Sequence, residues 1–285
     1  MAYASQPTST TPSLSIRSIY ANKYICSMKK DDKKFNKWFS AFMLIGMTVA
    51  LVLTTAIKLG RPDARPAMLL FAAFGSLMGV CATVASANGK IITFLFGLLD
   101  VAIYGIMCMI SWHEGSSGLG NAILHFAYFV PMQFVGFAQW RKRGAKGGEK
   151  PKARRLNGKQ WALYTSIMIV GTIVAYLIIA RFDKSQAESF LKMAVLLDVV
   201  PVMFNILGQL LMSTAYVEQW FFWIGVNIFS IIMWSRTLAQ SPGNDYAIIY
   251  IIKYSFYLVN AINGLRIWIG MSRDAAEKPA EEQLQ

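Results

Sequence analysis

Eight predominantly apolar stretches, each close to the length that crosses a bilayer, constrain this chain more than any other feature. They fall at about 38 to 58, 67 to 87, 91 to 112, 119 to 140, 161 to 181, 190 to 215, 220 to 237 and 246 to 269. A helix of roughly 20 apolar residues spans the hydrocarbon. In lipid every backbone N–H and C=O must be bonded within the protein, so each stretch is expected to be a helix. Composition agrees, because 55% of the 285 residues are hydrophobic and only 15% are charged, a charge share too low for an ordinary soluble domain. The fold class expected is therefore an all-α integral membrane protein that crosses the bilayer several times.

Charge then orients the chain. Lys and Arg number 28 against 15 acidic residues, a surplus that in a soluble chain would suggest nucleic acid. Here it lies beside the crossings, where positive charge fixes topology, and no nucleic-acid partner is expected. With the amino terminus inside, the segments on that side carry 19 Lys and Arg and the opposite segments 6. That imbalance places both termini in the cytoplasm. Residues 1–37 lack the apolar core and cleavage site of a secretory signal and read as a cytoplasmic tail. RKRGAKGGEKPKARR, within 141–160, reads as a flexible basic linker on the same side.

An internal repeat divides the chain. HFAYFVPMQFVGFAQW at 125 to 140 aligns with KYSFYLVNAINGLRIW at 253 to 268. At an offset of 128 Tyr128 meets Phe256, Phe129 meets Tyr257, Gly136 meets Gly264 and Trp140 meets Trp268. At an offset of 127 Phe96 meets Trp223 and Asp100 meets Asn227. The expected organisation is a cytoplasmic tail (1–37), an extra crossing (38–58), a three-helix repeat (67–140), the basic linker (141–160), a linker crossing (161–181), a second three-helix repeat (190–269) and a cytoplasmic tail (270–285). One crossing between the triplets gives both the same direction through the membrane, a 3+1+3 parallel repeat used by some transporters.

Polar groups at membrane depth are costly, so their positions point to function. In the seventh crossing Trp220, Trp223 and Asn227 share a helical stripe, and Thr93, Phe96, Asp100 and Tyr104 form its counterpart in the third. The sixth crossing aligns Asp198, Asn205 and Gln209, the eighth Tyr257, Asn260 and Gly264 with Asn263 one turn along, and the fourth supplies His125, Tyr128 and Gln133. Converging stripes of this kind would line a narrow cavity with aromatic faces, amides and a carboxylate, which suits a small, flat, polar ligand. Plainer readings compete. Trp112, Trp140, Trp161 and Trp268 sit near crossing ends and read as interfacial anchors; Asn205 and Gln209 could equally serve as interhelical bonds. Asp198 is placed to pair with Lys253. His125 reads as a packing residue, since His113 is the only other histidine. The three cysteines, Cys26, Cys81 and Cys108, have no framework or metal spacing. P-loop, HExxH and GxSxG patterns are missing, so neither an enzyme nor a cofactor or metal site is expected.

The segment from about 88 to 140, with NGK, GLLD and YFVPMQFVGFAQW, and the segment EQWFFWIGVNIFSIIMW at 218 to 234 resemble the PnuC family of nicotinamide riboside (vitamin B3) transporters. The resemblance covers about 67 to 270, and its WxxWxxxN pattern is fairly specific. It implies a SWEET-like 3+1+3 fold in a bacterial inner membrane, facilitated diffusion, a homotrimer, and a cytoplasmic riboside kinase that traps the substrate. Carried over, the family's tryptophan pair falls on Trp220 and Trp223 and its amide on Asn227. Asp100 departs from the family pattern, which more often has an amide there.

The pyridinium of nicotinamide riboside is flat and cationic, so indole faces at Trp220 and Trp223 would attract it by about 0.5 to 2 kcal/mol. Asn227, Asn260 and Gln133 would bond its carboxamide and ribose hydroxyls. The stripes hold no cluster of Arg or Lys for a phosphate, which favours the riboside over the mononucleotide. A thiamine carrier, a SWEET-type sugar carrier and a receptor or scaffold without transport are the competing readings.

Overall fold

The structure is a computed structural model that describes residues 16–62, 64–114, 119–182, 193–240 and 245–282. Its elements are α1 (Ile16–Leu59), α2 (Pro66–Ala87), α3 (Thr93–His113), α4 (Leu119–Leu124), a π-helical turn (His125–Phe129), α5 (Val130–Lys142), α6 (Gly158–Phe182), α7 (Met193–Ser213), α8 (Gln219–Gln240) and α9 (Asp245–Glu282). Seven helices among the described residues are long and apolar enough to cross a membrane: Asp31–Leu59, Pro66–Ala87, Thr93–Ile110, Gly120–Lys142, Gly158–Ile178, Gln219–Gln240 and Ile248–Ala276. The protein is thus an all-helical, multi-pass membrane protein. The eighth expected crossing, 190 to 215, is represented by α7, whose segment Val199–Ser213 counts as a shorter apolar helix.

The chain divides into two compact units, Met1–Phe42 and Met43–Gln285. In the first, the helix is already formed at Ile16, so the tail expected over 1–37 is helical for more than half its length. In the second, α1 buries Met43 and Met47 and lays Gly46 against the ring of Phe256 on α9. The apolar residues left on the outside of these helices, such as Ile169, Val170 and Leu177 of α6, are what a lipid-facing surface requires, since lipid rewards no burial of them.

Proline accounts for the irregular fourth crossing. Pro131 lies at the start of α5 and has no N–H to bond the carbonyl four residues back, so the preceding turn widens into the π form. The turn is held from outside, because Tyr128 donates its hydroxyl to the Ile206 carbonyl of α7 at 2.6 Å.

The core gathers at one end of the bundle, where α2, α5 and α7 end, α3 and α8 begin and α9 passes through. Ala87, Phe94, Trp140, Met212, Ala215, Val217, Trp220, Ala261, Ile267, Trp268 and Met271 pack there, together with Ala145 and Ala153 from the linker. Trp140 donates its indole N–H to the Met212 carbonyl of α7 at 2.8 Å, and Trp268 donates to the Ser86 carbonyl of α2 at 3.0 Å. Both indoles are 0% exposed and lie 5.2 Å apart. The expectation that these two tryptophans are interfacial anchors is therefore corrected: each is a core residue whose polar atom is bonded inside the protein. Trp112 and Trp161, at 45% and 38% exposed, keep the exposure an anchor needs.

The linker also departs from expectation. Rather than a flexible tether, 143–156 is a strap fastened to the turn between α7 and α8. Lys152 N–H donates to the Arg143 carbonyl at 2.8 Å, Arg154 N–H to Ala215 at 2.8 Å, and Val217 N–H to Arg154 at 2.9 Å. The last two form a parallel bridge, and the Arg154 guanidinium lies 4.4 Å over the Tyr216 ring. Burial, and secondarily the Arg154 charge beside it, pushes the Arg143 guanidinium below the ordinary arginine range. Its glycines do mark turns: Gly144, Gly147 and Gly148 all adopt positive φ.

Candidate functional site

The α8 stripe divides between two neighbours. Trp220, 2% exposed, lies flat on α9 at Gly264, where a Cβ would come 2.5 to 2.7 Å from its ring carbons. Only glycine admits the indole there. The Trp223 ring turns the other way and covers Gly208 of α7. Two turns along from Trp220, Asn227 donates its amide to the Trp223 carbonyl at 2.8 Å, which fixes its rotamer and leaves its carbonyl oxygen outside that bond. Gly208 and Gly264 are thus the seats that set the two indoles.

Amides and a carboxylate stand on the neighbouring helices. Asn260, 1% exposed, donates to the Thr83 carbonyl at 3.4 Å and ties α9 to α2. Gln133 donates to the Phe129 carbonyl at 3.3 Å, while its Oε1 is buried against Gly97 and has no partner. The Asp100 carboxylate rests on Gly79, in a gap that a Cβ would close, and attracts Lys253 electrostatically. Asp198, expected beside Lys253, has a side chain outside the described residues. Tyr257 joins Asp100 and Lys253 in this group, with its ring 5.6 Å from the Lys253 ammonium.

Four sequence-chosen residues are engaged elsewhere. Tyr128 clamps the π turn to α7. Asn205 donates to the Pro201 carbonyl at 2.8 Å, within its own helix. Gln209 donates to Ser213 within its own helix, and the Ser213 hydroxyl donates on to the Met132 carbonyl of α5, both at 3.1 Å; the bond between helices is made by Ser213 rather than directly by Gln209. Asn263 accepts from Arg266 at 3.1 Å. His125 is packed as expected, between the Tyr104 and Phe129 rings with Nδ1 on the Asn121 carbonyl.

Sequence reasoning passed over two features. Glu218 Oε2, Gln219 Oε1 and Trp220 Nε1 are buried consecutive atoms without hydrogen-bond partners, a rare concentration of unsatisfied polarity at the start of α8. Lys253, expected to pair with Asp198, has its ammonium among Tyr250, Tyr254 and Tyr257. The signal was available: tyrosines at i−3, i+1 and i+4 around a charge inside an apolar run. A cavity at the end of α3, lined by Met109, Ile110, Trp112, His113 and Glu114, reaches none of these groups and takes no part in the site.

Comparison with known proteins places the chain in a family. Residues 69–270 match the family described as nicotinamide mononucleotide transporter. The nicotinamide riboside transporter PnuC of Neisseria mucosa is 29% identical over 238 residues, covering 82% of this chain and 82% of that protein. The protein of the same name from Haemophilus influenzae is 26% identical over 238 residues, covering 83% and 93%. A crystal structure of the vitamin B3 transporter PnuC superposes with a TM-score of 0.57 at 29% identity, covering 82% of this chain and 93% of that one. With the family match spanning well over half of its length, the chain belongs to the nicotinamide mononucleotide transporter family, whose members are membrane transporters and not enzymes.

Proposed function

We propose that this protein carries nicotinamide riboside across the bacterial inner membrane, through a site that includes Trp220, Trp223, Asn227, Asn260, Gln133, Asp100 and Tyr257. The observation that carries this reading is the pair of indoles seated on Gly264 and Gly208 either side of a mid-helix amide. Indole faces attract a pyridinium by cation–π interaction, and the amide oxygens accept from its carboxamide and ribose hydroxyls. The riboside is favoured over the mononucleotide because Lys253 feels the attraction of the Asp100 carboxylate and already sits among three tyrosine rings. A phosphate would find no bidentate partner.

Passage follows the substrate's own gradient, and a cytoplasmic riboside kinase traps the product. No ATP-binding motif appears in the sequence. Counterflow of labelled nicotinamide riboside in proteoliposomes, competed by nicotinamide mononucleotide and by thiamine, tests the substrate. Stronger competition by the mononucleotide than by the riboside overturns the choice, and an absence of flux favours a scaffold. Accumulation of unmodified riboside on a proton or sodium gradient alone overturns facilitated diffusion.

The same reading makes α2, α3 and α4–α5 one repeat and α7, α8 and α9 the other in a SWEET-like 3+1+3 plan, with α6 as linker crossing and α1 extra. It gives eight crossings, both termini in the cytoplasm and a homotrimer in the membrane. Terminal reporters active only outside the cytoplasm stay silent under this topology, and activity at either end sinks it. The mass of the detergent-solubilised protein tests the trimer.

A further inference from the structure

Lys253 is a charge inside a membrane-crossing helix, a position that a protein keeps only at a cost. Its ammonium stands 5.8, 6.0 and 5.6 Å from the ring centres of Tyr250, Tyr254 and Tyr257. Tyr254 meets Tyr257 edge to face at 6.1 Å, and Trp234 of α8 stacks on Tyr250 at 4.2 Å. The Asp100 carboxylate of α3 supplies the opposite charge. Lys58 of α1, bonded to the Tyr250 hydroxyl at 3.3 Å, adds a second cation at the outer side of the cage. Aromatic faces gathered around one cation, with a carboxylate nearby, are the recognition chemistry of a cationic ligand. Here a side chain of the protein fills it.

The cage overlaps the transport site. Tyr257 and Asp100 belong to both, and Asn260 lies one helical turn from Tyr257. A lysine head is a compact charge on a flexible four-carbon stem, so it can leave the rings without moving the helix. We propose that Lys253 is a tethered stand-in for the cationic substrate: it occupies the tyrosine cage and balances Asp100 in the empty carrier, and an incoming pyridinium displaces it. Lys253 thereby sets the discrimination between positively charged and neutral ligands of the same shape. It also keeps Asp100 compensated when the carrier returns empty.

This inference rests on the riboside reading above and is tested with two probes of nearly equal shape. One is nicotinamide riboside, which is cationic; the other is its reduced dihydro form, which is neutral. Lys253→Met keeps the length of the stem and removes the charge. Titration of purified, monodisperse protein should show the cationic riboside binding about 5-fold to 30-fold more tightly to Lys253→Met than to the wild type. The neutral form should change less than about 2-fold. Asp100→Asn should act in the opposite sense, weakening the cationic probe more than the neutral one. Lys253→Gln, read in the same way, replaces Lys253→Met if that variant does not fold. Equal changes for both probes, or weaker binding of the cationic probe in Lys253→Met, overturn the proposal, because a merely structural lysine affects both ligands alike. A wild type that binds neither probe sinks the riboside reading and this inference together; a wild type that binds the riboside while Lys253→Met leaves the ratio unchanged sinks the inference alone.

Discussion

Trp140 and Trp268 close their two sets of helices in the same way, each crossing to the other set. Trp140, at the end of α5, donates to the last turn of α7, and Trp268, near the corresponding position of α9, donates to the last turn of α2. The likeness continues into the turns that follow. Lys90 N–H donates to Ala85 and Tyr216 N–H to Leu211, both at 2.9 Å, and Gly89 and Ala215 both adopt positive φ, +67° and +62°. Phe94 seats on Gly136 as Trp220 seats on Gly264. The turn residues and the Phe94 and Trp220 rings are 126 residues apart, one residue off the register of 127 read for the middle helices, whereas their glycine seats and the Trp140 and Trp268 pair are 128 apart. In mid-membrane the likeness ends. At the register of 126 Gly97 and Val101 stand on α3 where Trp223 and Asn227 stand on α8, in place of the expected Phe96 and Asp100, and Lys253 aligns, at 128, with a histidine, His125, packed between two rings. Shared hydrogen bonds at one end keep the two sets docked. Divergence at mid-depth is where, on the proposed site, a single asymmetric ligand would find different chemistry on its two sides.

Removing a shared contact should have the largest effect. Trp268→Ala and Trp140→Ala should each cost about 3 to 5 kcal/mol, seen as a large fall in the thermal midpoint of detergent-purified protein. The double substitution should cost less than the two together, because the rings touch. A wild-type midpoint in Trp268→Ala would restore the anchor reading.

At mid-depth the difference between the sets should appear in affinity. Trp223→Ala and Asn227→Leu remove a stacking face and a hydrogen-bond partner, each worth about 1 to 3 kcal/mol, and should weaken riboside binding roughly 5-fold to 150-fold. Phe96→Ala, on the aromatic stripe of α3, should weaken it less than about 3-fold. Equal losses on both helices, measured by titration calorimetry, would make the site symmetric.

The paired turns offer a finer contrast. Gly89→Ala places a Cβ in a left-handed conformation and within 3.0 Å of Met271, so it should destabilise by about 1 to 2 kcal/mol. Ala215→Gly relieves the same backbone cost but loses a fully buried methyl, and should stay within about 0.5 kcal/mol of the wild type. Thermal midpoints compared side by side decide this.

Trp161→Ala should have the smallest effect. Its ring is partly exposed and 6.1 Å from Phe221, so midpoint and riboside affinity should both remain near wild type. A loss of affinity would extend the site toward α6.

Much of this was legible in the chain itself. Apolar runs of crossing length dictated helices, because lipid offers the backbone no other partner. The recurrence of glycine and tryptophan near 136 and 264, 140 and 268 marked positions whose rings and seats pack alike, and periodicity put Trp220 and Asn227 on one stripe. Tertiary structure decided what periodicity leaves open. A tryptophan near a crossing end is an anchor or a core residue depending on whether a carbonyl from another helix lies opposite, and for Trp140 and Trp268 one does. A basic, glycine-rich linker is a tether or a strap depending on whether its N–H groups find acceptors, and Arg154 finds Ala215. Spacing along one helix fixes which side chains share a face. Which carbonyl, glycine or charge from a distant part of the chain stands opposite that face is settled only when the helices pack.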